Sequence, residues 1–174
     1  MTEGLNCGSG PWYCPGWMNI DRYAEDADWS GDVRKMPKTW RSKFERVYMG
    51  HFLEHIPFDE IPTLFKEIFR VCKHGAEVVV VGPAMDKGLE TGQPDWLLKQ
   101  MGKSSDEDLL AMPGAGNAWE ATTELTLEAM RLGGLTGVEE IDIDSRVYPE
   151  WPNRNAHRWQ VAAHGFGNKG GGKS

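Results

Sequence analysis

The 174-residue sequence is poor in cysteine and contains no long apolar run. Its three cysteines, Cys7, Cys14 and Cys72, are odd in number and follow no spacing pattern, which argues against a disulfide framework and favours a reducing compartment. No apolar stretch approaches the roughly 18 residues of a membrane-spanning helix, and the N-terminal residues show no signal-peptide pattern. We therefore expect a cytoplasmic protein that does not contact a membrane.

Basic residues are also scarce relative to acidic ones. The sequence has 19 lysines and arginines against 26 aspartates and glutamates, a formal net charge of −7 and a pI near 5.2. This balance argues against a protein that binds nucleic acid mainly through phosphate contacts. The eight tryptophans are also not interspersed with a series of lysines or arginines. Nucleic acid is therefore not the favoured partner.

Overall composition is that of an ordinary globular domain, with 40% hydrophobic and 26% charged residues. The length suits one domain, which we place at residues 1–166. Residues 167–174 are rich in glycine and lysine, and we expect them to form a flexible tail.

The centre of the sequence predicts a strand, a helix and a second strand. Val47–Gly50 is predicted as a short buried strand, and the four valines within Glu77–Pro83 are typical of a central parallel strand that helices cover on both faces. Asp59 is predicted to cap the start of the helix and Gly75 its end. Between them, apolar residues recur at helical spacing: Ile61, Leu64, Phe65, Ile68, Val71 and Cys72. Ligands of open α/β sheets bind at the carboxyl ends of the strands, which here points to Gly50–His55.

Three short predicted strands at the start of the chain lead into glycines or acids. Gly4–Cys7 runs into Gly8-Ser9-Gly10, Trp17–Asp21 ends in an acid, and Trp29–Val33 contains Asp32. A glycine-rich turn lets a ligand approach the main chain, although this turn alone is a weak signal and a simple tight turn is the favoured interpretation of it. An acid at the end of the next strand can accept hydrogen bonds from both ribose hydroxyls of a nucleoside. The three strand ends together favour a nucleoside site.

Four segments resemble, in order, the motifs of class I S-adenosylmethionine-dependent methyltransferases: Leu5–Gly10, Gly16–Asp21, Gly31–Pro37 and Gly50–His55. The resemblance covers residues 4–83 and is closest to small methyltransferases of bacteria and phages whose glycine loop leads directly into a Gly-Trp-x-Asn-x-Asp segment. It implies a compact Rossmann-like α/β fold with a mostly parallel sheet and an antiparallel edge. It also implies S-adenosylmethionine as the cofactor and S-adenosylhomocysteine as the product.

The resemblance assigns roles to residues of these motifs. The Gly8–Gly10 turn would line the methionine part of the cofactor, and Asp21 would hold the ribose hydroxyls. Asp32–Val33 would meet the adenine, and Gly50–His51 would lie beneath the sulfonium and the amino group. The implied cofactor-binding residues are Asn6, Gly8, Ser9, Gly10, Asp21, Asp32, Val33, Gly50 and His51.

The sequence departs from the family pattern after the glycine loop. Between Gly10 and Asp21 there is no room for the helix that normally follows, and Pro11–Gly16 is a loop by composition. Trp12 or Tyr13 could cover the cofactor instead, or could pack on the surface. A reduced or absent first helix would leave apolar sheet surface to cover, from which we derive a homodimer as a hypothesis.

His51, Glu54 and His55 form an H-x-x-E-H pattern with several alternative roles. On a helix the two histidines would face one way and could bind zinc, with Glu54 as the general base of a hydrolase, but Pro57 interrupts such a helix and no third ligand stands out. In a methyltransferase, His51 would be a general base near the methyl group and Glu54 and His55 would orient it, so all three are catalytic candidates. The trio could also hold a divalent metal, which we do not favour, or Glu54 and His55 could be structural.

The sequence beyond Pro83 carries weaker patterns. Residues 84–121 and 145–157 are predicted insertions on the acceptor side, although 84–121 could equally be a surface excursion or a dimer contact. The other predicted elements are helices at Asp95–Met101, Ser105–Met112 and Thr123–Leu132, and antiparallel edge strands at Val138–Ile143 and Trp159–Phe166.

The motifs say almost nothing about the methyl acceptor. A sugar or another small hydroxylated molecule is our first expectation, because related sequences resemble glycan-modifying enzymes. DNA or a protein side chain is an alternative acceptor, particularly in a phage. A cofactor-binding module without activity is a further class of function, and such a module would tolerate the loss of His51.

Overall fold

A computed structural model describes residues 4–91, 117–142 and 160–167 of the chain. Its strands are β1 (Gly4–Cys7), β2 (Met18–Asp21), β3 (Trp29–Ser30), β4 (Phe44–Gly50), β5 (Cys72–Pro83), β6 (Leu135–Glu140) and β7 (Gln160–Gly167). They form one seven-stranded sheet with the order β3-β2-β1-β4-β5-β7-β6. Strands β1 to β5 pair in parallel, whereas β7 is antiparallel to both β5 and β6. The sheet confirms the predicted fold class.

The direction of the chain across the sheet reverses between β1 and β4. β1 pairs with β2 on one side and with β4 on the other, and Cys7 lies opposite Met49 in the latter pair. The residues that follow, Gly8 and Gly50, are therefore neighbours at the carboxyl edge. In open α/β sheets this switch point is where ligands bind.

The helices in the described residues are α1 (Ile61–Val71), α2 (Met85–Glu90) and α3 (Thr123–Leu132), with short 3-10 helices at Val33–Lys35, Leu53–His55 and Phe58–Glu60. Glu60 is the N-cap of α1 and makes no side-chain capping bond, so the cap predicted at Asp59 is wrong. The C-cap predicted at Gly75 is also wrong, because the chain enters β5 at Cys72 directly after α1. None of the described helices is long and apolar enough to cross a membrane.

The main core lies between one face of the sheet and the helices α1 and α3. The sheet contributes alternate residues of its central strands: Leu5, Cys7, Val47, Met49, Val78, Val80 and Ala163. The helices contribute Ile61, Leu64, Phe65, Ile68, Leu127, Ala129 and Met130. Full burial of each large aliphatic or aromatic side chain stabilises the fold by about 1.5–3 kcal/mol.

The opposite face of the sheet carries a second, smaller core. Tyr48, Val79 and Val81 are at most 1% exposed there, and they pack with Cys14 and Trp17 from the loop that follows β1. The loop thus occupies part of the face that a first helix would cover, and these side chains are buried within one chain. The homodimer stays a prediction.

The three connections that join β1, β2, β3 and β4 contain no α-helix, and all three lie within the described residues 4–91. This confirms the absence of a helix after the glycine loop. The connection from β3 to β4 is held by Arg70 of α1, which donates to the carbonyl oxygens of Met36 at 3.1 Å and Trp40 at 2.5 Å. Parallel crossovers usually contain a helix, in which the backbone carbonyl oxygens accept hydrogen bonds from the helix itself. In this connection, the Arg70 side chain donates to the carbonyl oxygens instead.

The C-terminal elements follow the prediction closely. α3 has the predicted bounds, and Thr122 caps it by accepting a hydrogen bond from the Leu125 backbone N–H at 3.2 Å. β6 and β7 confirm the antiparallel pair, although β6 begins and ends earlier than predicted and β7 includes Gly167. The predicted helices at Asp95–Met101 and Ser105–Met112 and the predicted insertion at 145–157 lie outside the described residues.

Substitution of Gly133 by alanine tests the packing at the end of α3. Gly133 has helical φ and ψ, so alanine is allowed by the backbone, but its Cβ would lie 2.1 Å from a ring carbon of the buried Phe65. We expect Gly133→Ala to lower the free energy of unfolding by about 1–3 kcal/mol, the range for overpacking. Urea denaturation measures this loss.

The control is Leu132→Ala at the neighbouring exposed position, which should change the free energy of unfolding by no more than about 0.5 kcal/mol. Equal urea midpoints for Gly133→Ala and the unsubstituted chain would contradict the packing described here.

Candidate cofactor and catalytic site

Four of the sequence motifs end at the same edge of the sheet. Gly8 follows β1, Asp21 ends β2, Asp32 lies just beyond β3, and His51 follows β4. Because these strands are parallel, their carboxyl ends meet at one edge. The structure therefore brings these predicted residues together at the switch point of the sheet.

The glycine loop is a tight turn that closes on β2. The backbone N–H groups of Gly8 and Ser9 both donate to the carbonyl oxygen of Ile20, at 2.8 and 3.1 Å. Gly8 and Gly10 have φ values of 65° and 49°, a left-handed region that costs other residues about 1–2 kcal/mol. A Cβ on Gly8 would lie 2.3 Å from the ring of Phe52, whereas a Cβ on Gly10 would have no atom within 4 Å. Gly10 therefore borders the open space that a ligand-binding loop requires.

Asp21 orders the same loop through its carboxylate. Its Oδ2 accepts from the Gly10 backbone N–H at 2.9 Å, and its Oδ1 accepts from Tyr23 at 2.7 Å and Ala24 at 2.9 Å. A carboxylate offers about four acceptor positions, so the protein uses all but roughly one of them. To accept hydrogen bonds from both ribose hydroxyls, Asp21 would have to lose one of these hydrogen bonds from the backbone.

A buried asparagine network holds the rest of the loop. Asn19 Oδ1 accepts from Asn6 Nδ2 at 2.9 Å and from the Cys14 backbone N–H at 2.7 Å. Asn6 Nδ2 also donates to the Trp12 carbonyl oxygen at 3.0 Å, so the amide N–H groups of this predicted cofactor-binding residue are used within the protein. Asp28 accepts from the backbone and side-chain N–H groups of Asn19 at 2.8 and 3.0 Å. In the sequence, Asn19 stands out only as part of a motif, and no pattern points to Asp28.

Asp32 is paired with Arg34. The guanidinium Nε and Nη2 of Arg34 each lie 2.8 Å from one carboxylate oxygen, and the Arg34 backbone N–H donates to Oδ1 at 2.9 Å. The side-chain hydrogen bonds from Arg34 are the main reason that the pKa of Asp32 is lowered, and they outweigh the opposing effect of partial burial. Arg34 also pairs with Glu60. The Val33 side chain is buried in the core, which leaves only its backbone for a ligand.

His51 has a strained backbone conformation at the end of β4. Its φ of 51° is rare for a residue with a side chain, and such outliers cluster at functional sites. The backbone N–H of His51 donates to the Val81 carbonyl oxygen at 2.7 Å, which ties the strained residue to β5. The ring Nδ1 lies 3.5 Å from Glu54 Oε1, and Nε2 contacts the amide of Gln160. No signal in the sequence could have linked Gln160 to a residue 109 positions away.

Glu54 and His55 belong to the turn that follows. The Glu54 side chain is only 4% exposed and lies beside His51. The His55 backbone N–H closes the turn by donating to the Phe52 carbonyl oxygen at 3.1 Å. This turn is a short 3-10 helix rather than the α-helix that the zinc hypothesis requires. Within the described ranges, no group of three histidine, cysteine or acidic side chains is placed to hold a metal ion.

The end of the predicted acceptor-side segment returns to this turn. The Ala118 backbone N–H donates to the Glu54 carbonyl oxygen at 2.8 Å, and the Trp119 indole N–H donates to the Ile56 carbonyl oxygen at 3.0 Å. The Trp119 ring also meets Phe58 edge to face, with centroids 5.6 Å apart. Residues 117–121 are thus attached directly to the turn that carries the catalytic candidates.

Comparison with known proteins finds similarity in structure only. No protein-family model matches the chain, and no curated protein matches it. A SAM-dependent methyltransferase from Archaeoglobus fulgidus is 13% identical, over 94% of this chain and 85% of that one, with a TM-score of 0.56. A SAM-dependent methyltransferase from Thermotoga maritima is 15% identical, over 94% and 81%, with a TM-score of 0.60. PigF, solved with SAH, is 16% identical, over 93% and 55%, with a TM-score of 0.54.

These similarities and the strand order show that the chain has the Rossmann-like fold of class I methyltransferases. At 13–16% identity they define the fold and not the reaction. The fold class therefore stands on the structure, and the activity has to be argued from the site.

Alanine substitutions at the two left-handed glycines should have unequal effects on stability. Gly8→Ala combines an unfavourable φ with a clash against Phe52, whereas Gly10→Ala has the unfavourable φ alone. We expect Gly10→Ala to lose about 1–2 kcal/mol of unfolding free energy, and Gly8→Ala to lose about 1–3 kcal/mol more because of the clash. Urea denaturation of the ligand-free chains measures both losses, and an equal loss at the two positions would contradict the Gly8–Phe52 contact.

The Asp32–Arg34 pair should make stability depend on pH in acid. Because the pKa of Asp32 is lowered in the folded chain, the pair stabilises the fold above the ordinary value of 3.8, and the contribution is lost as pH falls through the folded value. We expect Asp32→Asn to be less stable than the unsubstituted chain near about pH 6, and this difference to be smaller near about pH 3. Urea titrations at both pH values test this, and a difference that persists unchanged in acid would contradict it.

Proposed function

We propose that the chain is an S-adenosylmethionine-dependent methyltransferase. The observation that carries the proposal is the convergence of the Gly8–Gly10 turn, Asp21 and His51 at the switch point of a methyltransferase-type sheet. Bound S-adenosylmethionine would supply a methyl group activated by a sulfonium. The solved structures of similar fold support this cofactor, because they include SAM-dependent methyltransferases and one protein solved with SAH.

The residues at the edge fit such a cofactor. Gly10 borders open space, and a side chain at that position would project into it. Asp21 keeps roughly one acceptor position for a ribose hydroxyl, after three backbone N–H groups have taken the others. The carboxylates of Asp21 and Glu54 favour a cationic ligand by Coulomb attraction.

His51 is the proposed general base. When the ring is neutral and carries its proton on Nδ1, towards Glu54, the lone pair lies on Nε2 and can take the proton of an acceptor hydroxyl. The Gln160 amide contacts Nε2 in this structure, so the acceptor hydroxyl would replace that contact. One base suffices, because the methyl carbon is already electrophilic and correct positioning supplies most of the acceleration.

The proposed acceptor is a small hydroxylated molecule, with a sugar as the first choice. A histidine base suits the removal of a hydroxyl proton, and the net charge of −7 disfavours a polyanionic acceptor. Trp119, whose indole N–H is bound to the Ile56 carbonyl oxygen, is the aromatic residue proposed to border the acceptor.

Binding of S-adenosylhomocysteine is the first test of this proposal. At a hundred times its dissociation constant the nucleoside should add about 2.7 kcal/mol to the stability of the chain. Asp21→Ala should abolish this gain, because it removes the proposed ribose acceptor and the bond that shapes Gly10. Isothermal calorimetry and thermal shift measure the effect, with Asp26→Ala as a control that removes the same charge from an exposed position on the adjoining loop. Normal binding by Asp21→Ala would place the ribose elsewhere.

Turnover separates an enzyme from a binding module. His51→Ala should leave the affinity for S-adenosylhomocysteine unchanged and lower methyl transfer to glycoside acceptors by about 10²–10⁴-fold, the usual contribution of general-base catalysis. Release of S-adenosylhomocysteine across a panel of glycosides measures the rate. A His51→Ala chain as active as the unsubstituted one would remove the base assignment. Loss of stability on chelation without any nucleoside effect would instead favour a metal site.

A further inference from the structure

The loop between the glycine turn and β2 is held by a few backbone hydrogen bonds and by side chains from β2. Residues 8–17 contain no helix, and Pro11, Trp12 and Tyr13 are exposed. Three consecutive residues of β2 nevertheless hold this loop at both ends. Ile20 and Asp21 bind the glycine turn, and Asn19 binds the stretch that follows it.

Asn19 is the centre of this attachment. It is fully buried, and its Oδ1 accepts from the Cys14 backbone N–H at 2.7 Å. Its Nδ2 donates to the carbonyl oxygens of Cys14 at 3.0 Å and Trp17 at 3.1 Å. The side chain therefore binds both polar backbone groups of Cys14 and fixes the course of the loop against the sheet.

Asp28 holds Asn19 from the other side. Its Oδ2 accepts from the backbone and side-chain N–H groups of Asn19, and its Oδ1 accepts from the Tyr13 hydroxyl at 3.3 Å. Partial burial alone would raise the pKa of Asp28, but the hydrogen bonds from Asn19 and Tyr13 outweigh it and lower the pKa. Asp28 is therefore a carboxylate that joins β2 to the tip of the loop.

We propose that Asn19 and Asp28 are positioning residues for the cofactor and hold the glycine loop in its binding shape in place of a helix. The inference rests on the proposed function. The pair touches neither the reacting atoms nor, by itself, the cofactor; it fixes the chain between Gly10 and Trp17, which borders the cofactor space. If the ligand requires this shape, loss of the pair weakens binding, and binding in turn strengthens the pair.

The test compares three variants by calorimetry with S-adenosylhomocysteine. Asp28→Ala removes the hydrogen bonds from Asn19 and from Tyr13. It should raise the dissociation constant about tenfold, because these charge-assisted hydrogen bonds hold the binding shape of the loop. Asp28→Asn keeps an oxygen for the two Asn19 donors and should stay within about threefold of the unsubstituted chain. Asp26→Ala removes the same charge from an exposed site two residues away and should stay within about twofold.

A second measurement uses the unsubstituted chain. If the ligand requires the held shape of the loop, S-adenosylhomocysteine should slow hydrogen exchange in a peptide that covers residues 11–20. Amides of α3 that exchange by local opening, on the opposite face of the sheet, should not change. Asp28 belongs to neither hydrophobic core, and the melting temperature of each ligand-free variant reports any purely structural loss from its substitution.

The outcomes separate this inference from the proposed function. If the unsubstituted chain does not bind S-adenosylhomocysteine, the proposed function fails and this inference fails with it. If it binds, but Asp28→Ala keeps its affinity while its melting temperature falls, the pair is structural only and this inference alone is overturned. Absence of added protection over residues 11–20 on binding would overturn it equally.

Discussion

Burial of β5 on both faces is the constraint on which the site depends. Val78 and Val80 face the helices, and Val79 and Val81 face the second core, so a shift of β5 by one residue would exchange every one of these contacts. The Val81 carbonyl oxygen receives the His51 backbone N–H at 2.7 Å. The strained conformation of His51 is therefore maintained by the packing of a strand that carries no catalytic group itself.

In the first half of this chain, side-chain hydrogen bonds hold the connections between strands that helices would otherwise form. Asn19 fixes the loop after β1, and Arg70 fixes the connection before β4 by binding carbonyl oxygens of Met36 and Trp40. A helix satisfies its own backbone, whereas these loops rely on a few specific side chains. Their local stability therefore depends on single residues, and one substitution there can loosen the loops at the carboxyl edge of the sheet without unfolding the core.

The acids at the edge of the sheet are largely engaged before any ligand arrives. Asp21 binds three backbone N–H groups, and Asp32 is held by Arg34 in a two-point ion pair. A ligand at this edge would therefore meet a shaped polar surface with few open acceptor positions. Preorganisation of this kind reduces the ordering that binding requires, and it makes the geometry of the glycine turn as important as the charges.

Local patterns in the sequence determined the parallel sheet, the α3 helix and the strand ends at Gly8 and Asp21, because periodicity, glycine and acidic residues act over a few positions. The C-cap expected at Gly75 was wrong because pairing of β5 with β4 begins at Cys72 and overrides the local signal. The N-cap expected at Asp59 was wrong because Asp59 lies within a 3-10 helix that precedes α1. Only the tertiary structure placed the Gln160 amide against His51 and the Asp28 carboxylate against Asn19. The physical reason is that such contacts depend on strand order and loop course, which no short stretch of sequence encodes.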